Sequence, residues 1–235
     1  MRRIGLSSRA GVVAWLTVLL ATAAALFIQP QDIDVSTLLP GPPADDSPEH
    51  QAEVATMLYW QNKRTKEDVS RCRSEVNVNV FIFAEVLGDW FNERALPLTS
   101  DLMQQAYTDT YAASYSAKQK WKRVRPPLAD PRIHPCVPLE KTPSYPSGHA
   151  TRGVMWAILL SEIFPEHRDA LMARGRLIGD DRYIAGMHYP TDVEAGQKLG
   201  EEVAHRLLEN RDFKIALDRA KEECMEAALQ PTAHR

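Results

Sequence analysis

Tyr145-Pro146-Ser147-Gly148-His149-Ala150-Thr151-Arg152-Gly153-Val154-Met155-Trp156-Ala157-Ile158-Leu159-Leu160-Ser161-Glu162-Ile163-Phe164 is the stretch on which the fold turns. Residues 147–164 are apolar almost all round, not along one stripe, which is the pattern of a helix buried at the centre of its domain. The Pro-Ser-Gly step leads into that helix and leaves backbone N–H groups free at its first turn. Those groups and the helix dipole favour an anion. Gly148 lets the backbone approach closely, Ser147 adds a hydroxyl donor, and His149 sits beside the anion with a proton that titrates near neutral pH.

Further helices are predicted around this one. Asp46 precedes Pro48 and Glu49, a helix start, and residues 49–61 should be helical. Val76, Val78 and Val80 alternate like a strand, but the apolar run continues through Phe83, and residues 75–91 are read as a buried helix. Ser100 opens a segment with Leu102, Ala106, Tyr107, Thr110, Tyr111, Ser114 and Lys118 at helical spacing. Residues 193–208 place Gly196, Leu199, Gly200, Val203 and Leu207 on one face, and residues 213–229 form a polar terminal helix. Nowhere do strand runs alternate with helices, so a doubly wound sheet is disfavoured and an all-α, single-domain helical bundle is expected. The chain has 235 residues, room for one domain or two small ones. Its 44% hydrophobic and 25% charged residues are ordinary for a globular protein. A net charge of −3 argues against a nucleic-acid partner.

The N-terminus reads as an address. Arg2, Arg3 and Arg9 precede residues 10–28, which carry no charge. Residues 1–30 are therefore expected to be a signal peptide or N-terminal membrane anchor, 31–46 a Pro- and Asp-rich linker or arm, and 47–235 the helical domain. The body of the protein should be exported. Of Cys72, Cys136 and Cys224, at most one pair can bridge; Cys72–Cys136 is the expected pair, although spacing alone does not fix it. No cysteine has zinc spacing or the arginine six residues on that a thiol-based phosphatase loop requires.

Two more clusters carry chemistry. In Lys118-Gln119-Lys120-Trp121-Lys122-Arg123-Val124-Arg125-Pro126, five basic residues fall within eight positions. Lys118 and Arg125 lie two helical turns apart and would project to one side, with Pro126 ending the element there. Lys120, Lys122 and Arg123 would face water. In Arg182-Tyr183-Ile184-Ala185-Gly186-Met187-His188-Tyr189-Pro190-Thr191-Asp192, His188 and Asp192 stand four apart around a turn that Pro190 forces. The carboxylate can hold one imidazole nitrogen and leave the other free to attack. Arg182 supplies a second guanidinium. Each cluster alone could be a solvated face or an ordinary cap. Together they suit in-line displacement at phosphorus.

Lys118-x6-Arg125-Pro126, Pro146-Ser147-Gly148-His149 and Arg182-x5-His188-x3-Asp192 resemble the fingerprint of the type 2 phosphatidic acid phosphatase superfamily. Within it the chain is most similar to bacterial class A non-specific acid phosphatases. That resemblance implies a helical bundle of the acid phosphatase and vanadium haloperoxidase type, and a periplasmic enzyme, soluble or anchored to the inner membrane by its N-terminal segment. It implies roles as well. Lys118, Arg125, Ser147, Gly148 and Arg182 would bind phosphate, His188 would form a phosphohistidine, Asp192 would orient it, and His149 would be the acid and base. The substrate would be a small-molecule phosphomonoester, and inorganic phosphate or vanadate would also bind the pocket. No metal or cofactor is called for, because fixed cations spread the charge. A homo-oligomer is left open.

One departure stands out: the family serine before the third arginine is Asp181 here, a carboxylate that would repel phosphate unless a cation screens it. Tyr145, Glu75, Trp90 and Tyr183 are candidates for the pocket mouth. Four other readings compete: a vanadium-dependent haloperoxidase, a membrane-anchored lipid phosphatase, a non-catalytic periplasmic anion-binding protein, and an aspartyl-nucleophile phosphatase built on Asp32-Ile33-Asp34.

Overall fold

The computed structural model describes residues 26–229. The export segment expected over residues 1–30 thus lies almost wholly outside the described residues. Among the described residues there is no strand, in agreement with the all-α reading. The helices are α1 (Val35–Leu38), α2 (Pro48–Lys63), α3 (Lys66–Ser74), α4 (Ala84–Leu87), α5 (Pro97–Trp121), α6 (Pro126–Ala129), α7 (Gly148–Ile163), α8 (Arg168–Ile184), α9 (Pro190–Glu209) and α10 (Arg211–Leu229). None among the described residues is long and apolar enough to cross a membrane.

Helix α7 is the axis of the bundle. Ser147 caps it, its hydroxyl accepting from the Ala150 N–H at 3.3 Å, and nearly every residue from His149 to Ile163 is buried. Its most extensive contacts are with α8 and α9. Missing side chains allow them: a Cβ on Gly153 would lie 2.5 Å from the Gly175 carbonyl oxygen, so α7 and α8 cross backbone against backbone. Cβ atoms on Gly196 and Gly200 would likewise collide with the carbonyl oxygens of Ser147 and Thr151. These close approaches seat the first turns of α7 and α9 side by side, and both turns carry site residues. Helix α5 also packs against α10, where the Thr99 hydroxyl donates to Glu223 at 2.7 Å and lies 3.4 Å from Cys224 Sγ.

Several expectations need correction. Residues 75–91 are not one helix. The chain leaves α3 at Ser74, makes a 3-10 turn over Val80–Phe83, forms the short α4 and turns at Gly88 with φ 97°. Asn79 accepts from the Phe81 N–H at 3.0 Å, and this local cap competes with helix. Val78, Val80, Phe83, Leu87 and Phe91 are buried all the same, so the apolar run reports burial and not helical period. Helix α5 ends at Trp121, four residues before Arg125, where Lys122 takes the left-handed conformation at φ 47°. Helix α2 is capped by Ser47 and not Asp46. Residues 31–46 are seated on the bundle: Ile33, Val35 and Leu39 are buried. Just before them, Asp109 accepts from the Phe27 and Ile28 N–H groups at 2.9 and 3.0 Å. All three cysteines are free thiols, so the expected Cys72–Cys136 bridge is not formed; Cys72 Sγ donates to the Asp181 carbonyl at 3.4 Å instead.

Candidate active site

His188 sits in the turn between α8 and α9, where the Met187 N–H donates to the Arg182 carbonyl at 2.9 Å. Pro190 opens α9, and Asp192 falls in its first turn. The Asp192 carboxylate is buried and saturated. Oδ2 accepts from Ser144 Oγ at 2.5 Å and the Tyr189 N–H at 2.9 Å and lies 3.4 Å from His188 Nδ1, while Oδ1 accepts from Arg123 Nη1 at 2.7 Å. The other arm of Arg123 donates to Glu53 Oε2 at 2.6 Å, and the guanidinium lies 3.9 Å over the Tyr189 ring.

On the opposite edge of His188, Arg125 Nη1 is 3.0 Å from Nε2. A guanidinium only donates, so Nε2 is the bare nitrogen and Nδ1 carries the proton toward Asp192. Burial, then the charges of Arg125 and Lys118, hold His188 well below the usual imidazole range. It is therefore neutral, with its lone pair facing the cations.

The cations come from three elements. Arg125 precedes α6 and donates through Nε to the Thr142 carbonyl at 2.7 Å and through Nη2 to Glu140 at 2.7 Å. Arg182 lies in the last turn of α8 and donates through Nη2 to Glu140 at 2.8 Å. Its Nε and Nη1 are buried without a partner. Lys118 donates to the Pro143 and Ser144 carbonyls at 2.6 and 3.4 Å, both neutral, and burial with Arg125 nearby pushes it down to about 7.

His149, in the first turn of α7, has Nε2 at 3.1 Å from the Glu75 carbonyl, which fixes the proton there. Nδ1 faces Arg152 Nη2 at 3.3 Å and Glu140 Oε1 at 3.9 Å. Burial, then Arg182 and Arg152, push His149 well below its ordinary value.

All eight residues singled out in the sequence thus meet, and the Ser147 N–H donates to the Asp192 carbonyl oxygen at 2.8 Å, tying the second motif to the third. A cleft of about 190 Å³ opens onto this cluster, walled by Tyr107, Tyr111 and Tyr115 of α5 and by Arg152, with Lys118 and His149 at its inner end.

Other expectations differ from what is found. Arg123 does not face water; it is buried between two carboxylates, whereas Lys120 and Lys122 are exposed as expected. The mouth residues expected at Tyr145, Glu75, Trp90 and Tyr183 do not line the cleft. Tyr145 packs on Trp121, Glu75 pairs with Arg174 at 2.6 Å, Trp90 meets Phe164, and Tyr183 meets Trp60. Asp181 is fully buried and held by Arg71 at 2.6 and 2.7 Å, so a cation does screen it. Asp34 caps α1 and takes no part in the site. Residues to which the sequence assigned no role in the site are Glu53, Ser144, Glu140 and Arg152; of these only Ser144 and Arg152 border a motif.

Residues 102–211 match the PAP2 superfamily. The chain is 31% identical to a non-specific acid phosphatase of Providencia stuartii over 212 residues, covering 82% of each protein. It is 30% identical to the non-specific acid phosphatase of Salmonella typhimurium over 203 residues, covering 82% of this chain and 81% of that one. In fold it is similar to a bacterial vanadium-dependent iodoperoxidase, with a TM-score of 0.57 and 17% identity over 73% of this chain and 52% of that one. The chain belongs to the PAP2 superfamily, on the branch of the non-specific acid phosphatases.

Proposed function

We propose that this phosphatase hydrolyses phosphomonoesters through a phosphohistidine on His188, outside the cytoplasm. The observation that carries the reading is the bare Nε2 of His188 beside Arg125, backed by Asp192 and fronted by Arg182 with two N–H groups still lacking an acceptor. Phosphate oxygens supply those acceptors. Lys118, Arg125, Arg182 and the α7 N-terminus spread the charge of the transition state. His188 Nε2 attacks phosphorus, the phosphorus–oxygen bond to the alcohol breaks, and His149, protonated on Nδ1, delivers that proton to the leaving oxygen. The phosphoryl dianion beside His149 favours its protonation and offsets the cations that otherwise keep it neutral. Neutral His149 then takes a proton from water, which attacks phosphorus and restores His188. The leaving group lies along Tyr107, Tyr111 and Tyr115.

Rapid quenching with a labelled phosphomonoester tests this. An acid-labile, base-stable label is expected on the wild type and none on His188→Ala, which loses turnover by at least about 10⁴-fold. Activity survives a chelator, since the fixed cations carry the charge that a metal carries elsewhere. A base-labile label, or activity that dies with chelator and returns with metal, would overturn the mechanism.

A further inference from the structure

Glu140 stands where the substrate should. It belongs to the loop between α6 and α7, and its carboxylate spans the two guanidinia assigned to phosphate, with Oε2 2.7 Å from Arg125 Nη2 and Oε1 2.8 Å from Arg182 Nη2. Oε1 also lies 3.9 Å from His149 Nδ1. Behind it nothing is open: Arg125, Arg182 and His188 are 2, 1 and 0% exposed, whereas the Glu140 side chain is 35% exposed and lines the cleft. A phosphoester coming down the cleft therefore meets Glu140 before it meets the nucleophile.

We propose that Glu140 is an internal competitor for the phosphate site: its carboxylate is the resting ligand of Arg125 and Arg182, and the substrate phosphoryl group enters by taking its place. This rests on the phosphatase reading above and adds a residue that sets which anions gain entry. Two carboxylate oxygens leave Arg182 Nε and Nη1 without acceptors. A phosphoryl group brings three oxygens, so it can bond donors that Glu140 cannot reach and win the exchange. A simple carboxylate offers no more oxygens than Glu140 and has nothing to gain. The device thus selects tetrahedral oxyanions over planar ones. An unpaired pair of buried guanidinia would repel each other, and Glu140 avoids that cost in the free enzyme.

The sign of one measurement decides it. Inorganic phosphate binding is followed by calorimetry on wild type, Glu140→Gln and Glu140→Ala, with no turnover involved. Glu140→Gln should bind phosphate about tenfold more tightly, the factor expected if the carboxylate leaves the site free roughly a tenth of the time. Acetate should bind Glu140→Ala and compete there with phosphate, yet leave wild type unaffected. Phosphate should also raise the melting temperature of either variant more than that of wild type, which shows the variants to be folded. Phosphate binding that is weaker or unchanged in Glu140→Gln would make Glu140 a mere prop for the arginines and overturn the proposal, leaving the phosphatase reading intact. Phosphate binding to neither wild type nor variant would overturn both.

Discussion

Two carboxylates serve the site around His188, one against its ring and one across Arg125 and Arg182, and they are held in opposite ways. Asp192 is locked into the interior by Ser144, Arg123 and the Tyr189 N–H, on a helix turn packed against α7. Glu140 hangs from a loop, partly exposed, and its hydrogen bonds come only from the guanidinia of Arg125 and Arg182. Burial would raise Glu140, but the charges of Arg125, Arg182 and Lys118 bring it down to about 2, so it stays ionised in any working buffer. A buried carboxylate fixed by a hydroxyl and a backbone N–H beside its own cation orients something. A partly exposed one hydrogen-bonded only to guanidinia behaves as an exchangeable counter-ion. The machinery is rigid behind the nucleophile and replaceable in front of it.

The largest effect should come from the rigid side. Asp192→Asn keeps the shape but offers an amide where an acceptor is needed, so His188 can take the wrong tautomer and present a proton to phosphorus. Turnover of an aryl phosphate should fall by about 10²–10⁴-fold with little change in KM. A loss under tenfold would mean that Asp192 does not set the tautomer.

Next comes Arg123, which never meets substrate. Arg123→Met leaves Asp192 and Glu53 buried without their cation. Breaking such a pair costs about 3–5 kcal/mol, or roughly 6–20 °C in melting temperature for a chain of this size. A melting temperature within about 2 °C of wild type would show that Arg123 is not structurally required.

This contrast also explains what could be read in advance. Lys118, Arg125, Ser147, Gly148, His149, Arg182, His188 and Asp192 were legible because each motif bundles its chemistry into a few adjacent residues beside a helix end. Arg123 was misjudged because its partner Glu53 lies 70 positions away on α2, and nothing local to either residue signals the pairing. Glu140 was missed for a similar reason. It lies in a proline-rich loop whose path is set by tertiary packing, and a lone acid there looks like ordinary surface. The central helix was readable because its apolarity runs all round. Residues 75–91 were misread because their apolar side chains are buried from an irregular path of turns and short helices, so burial leaves no helical period.

The smallest effect probes how neutral the histidines are. His149 is pushed down by burial and then by Arg182 and Arg152. In the unfolded chain the same imidazole takes up a proton near pH 6.5. Its contribution to stability is therefore complete above about 6.5 and declines as the pH falls, because only the unfolded state binds the proton readily. Glu75 works the other way: burial and Asp181 raise it to about 7, so the folded state gains a proton there first. The raw pH profile mixes the two, and the informative quantity is the difference between wild type and His149→Asn. Between pH 6.5 and 4.5 the variant should lose less stability than wild type, by up to about 1.4 kcal/mol per pH unit. Saturating phosphate should shrink that difference, since the bound dianion lets folded His149 take its proton. Identical profiles with and without phosphate would place His149 outside the field of the bound anion and deny it the acid's role.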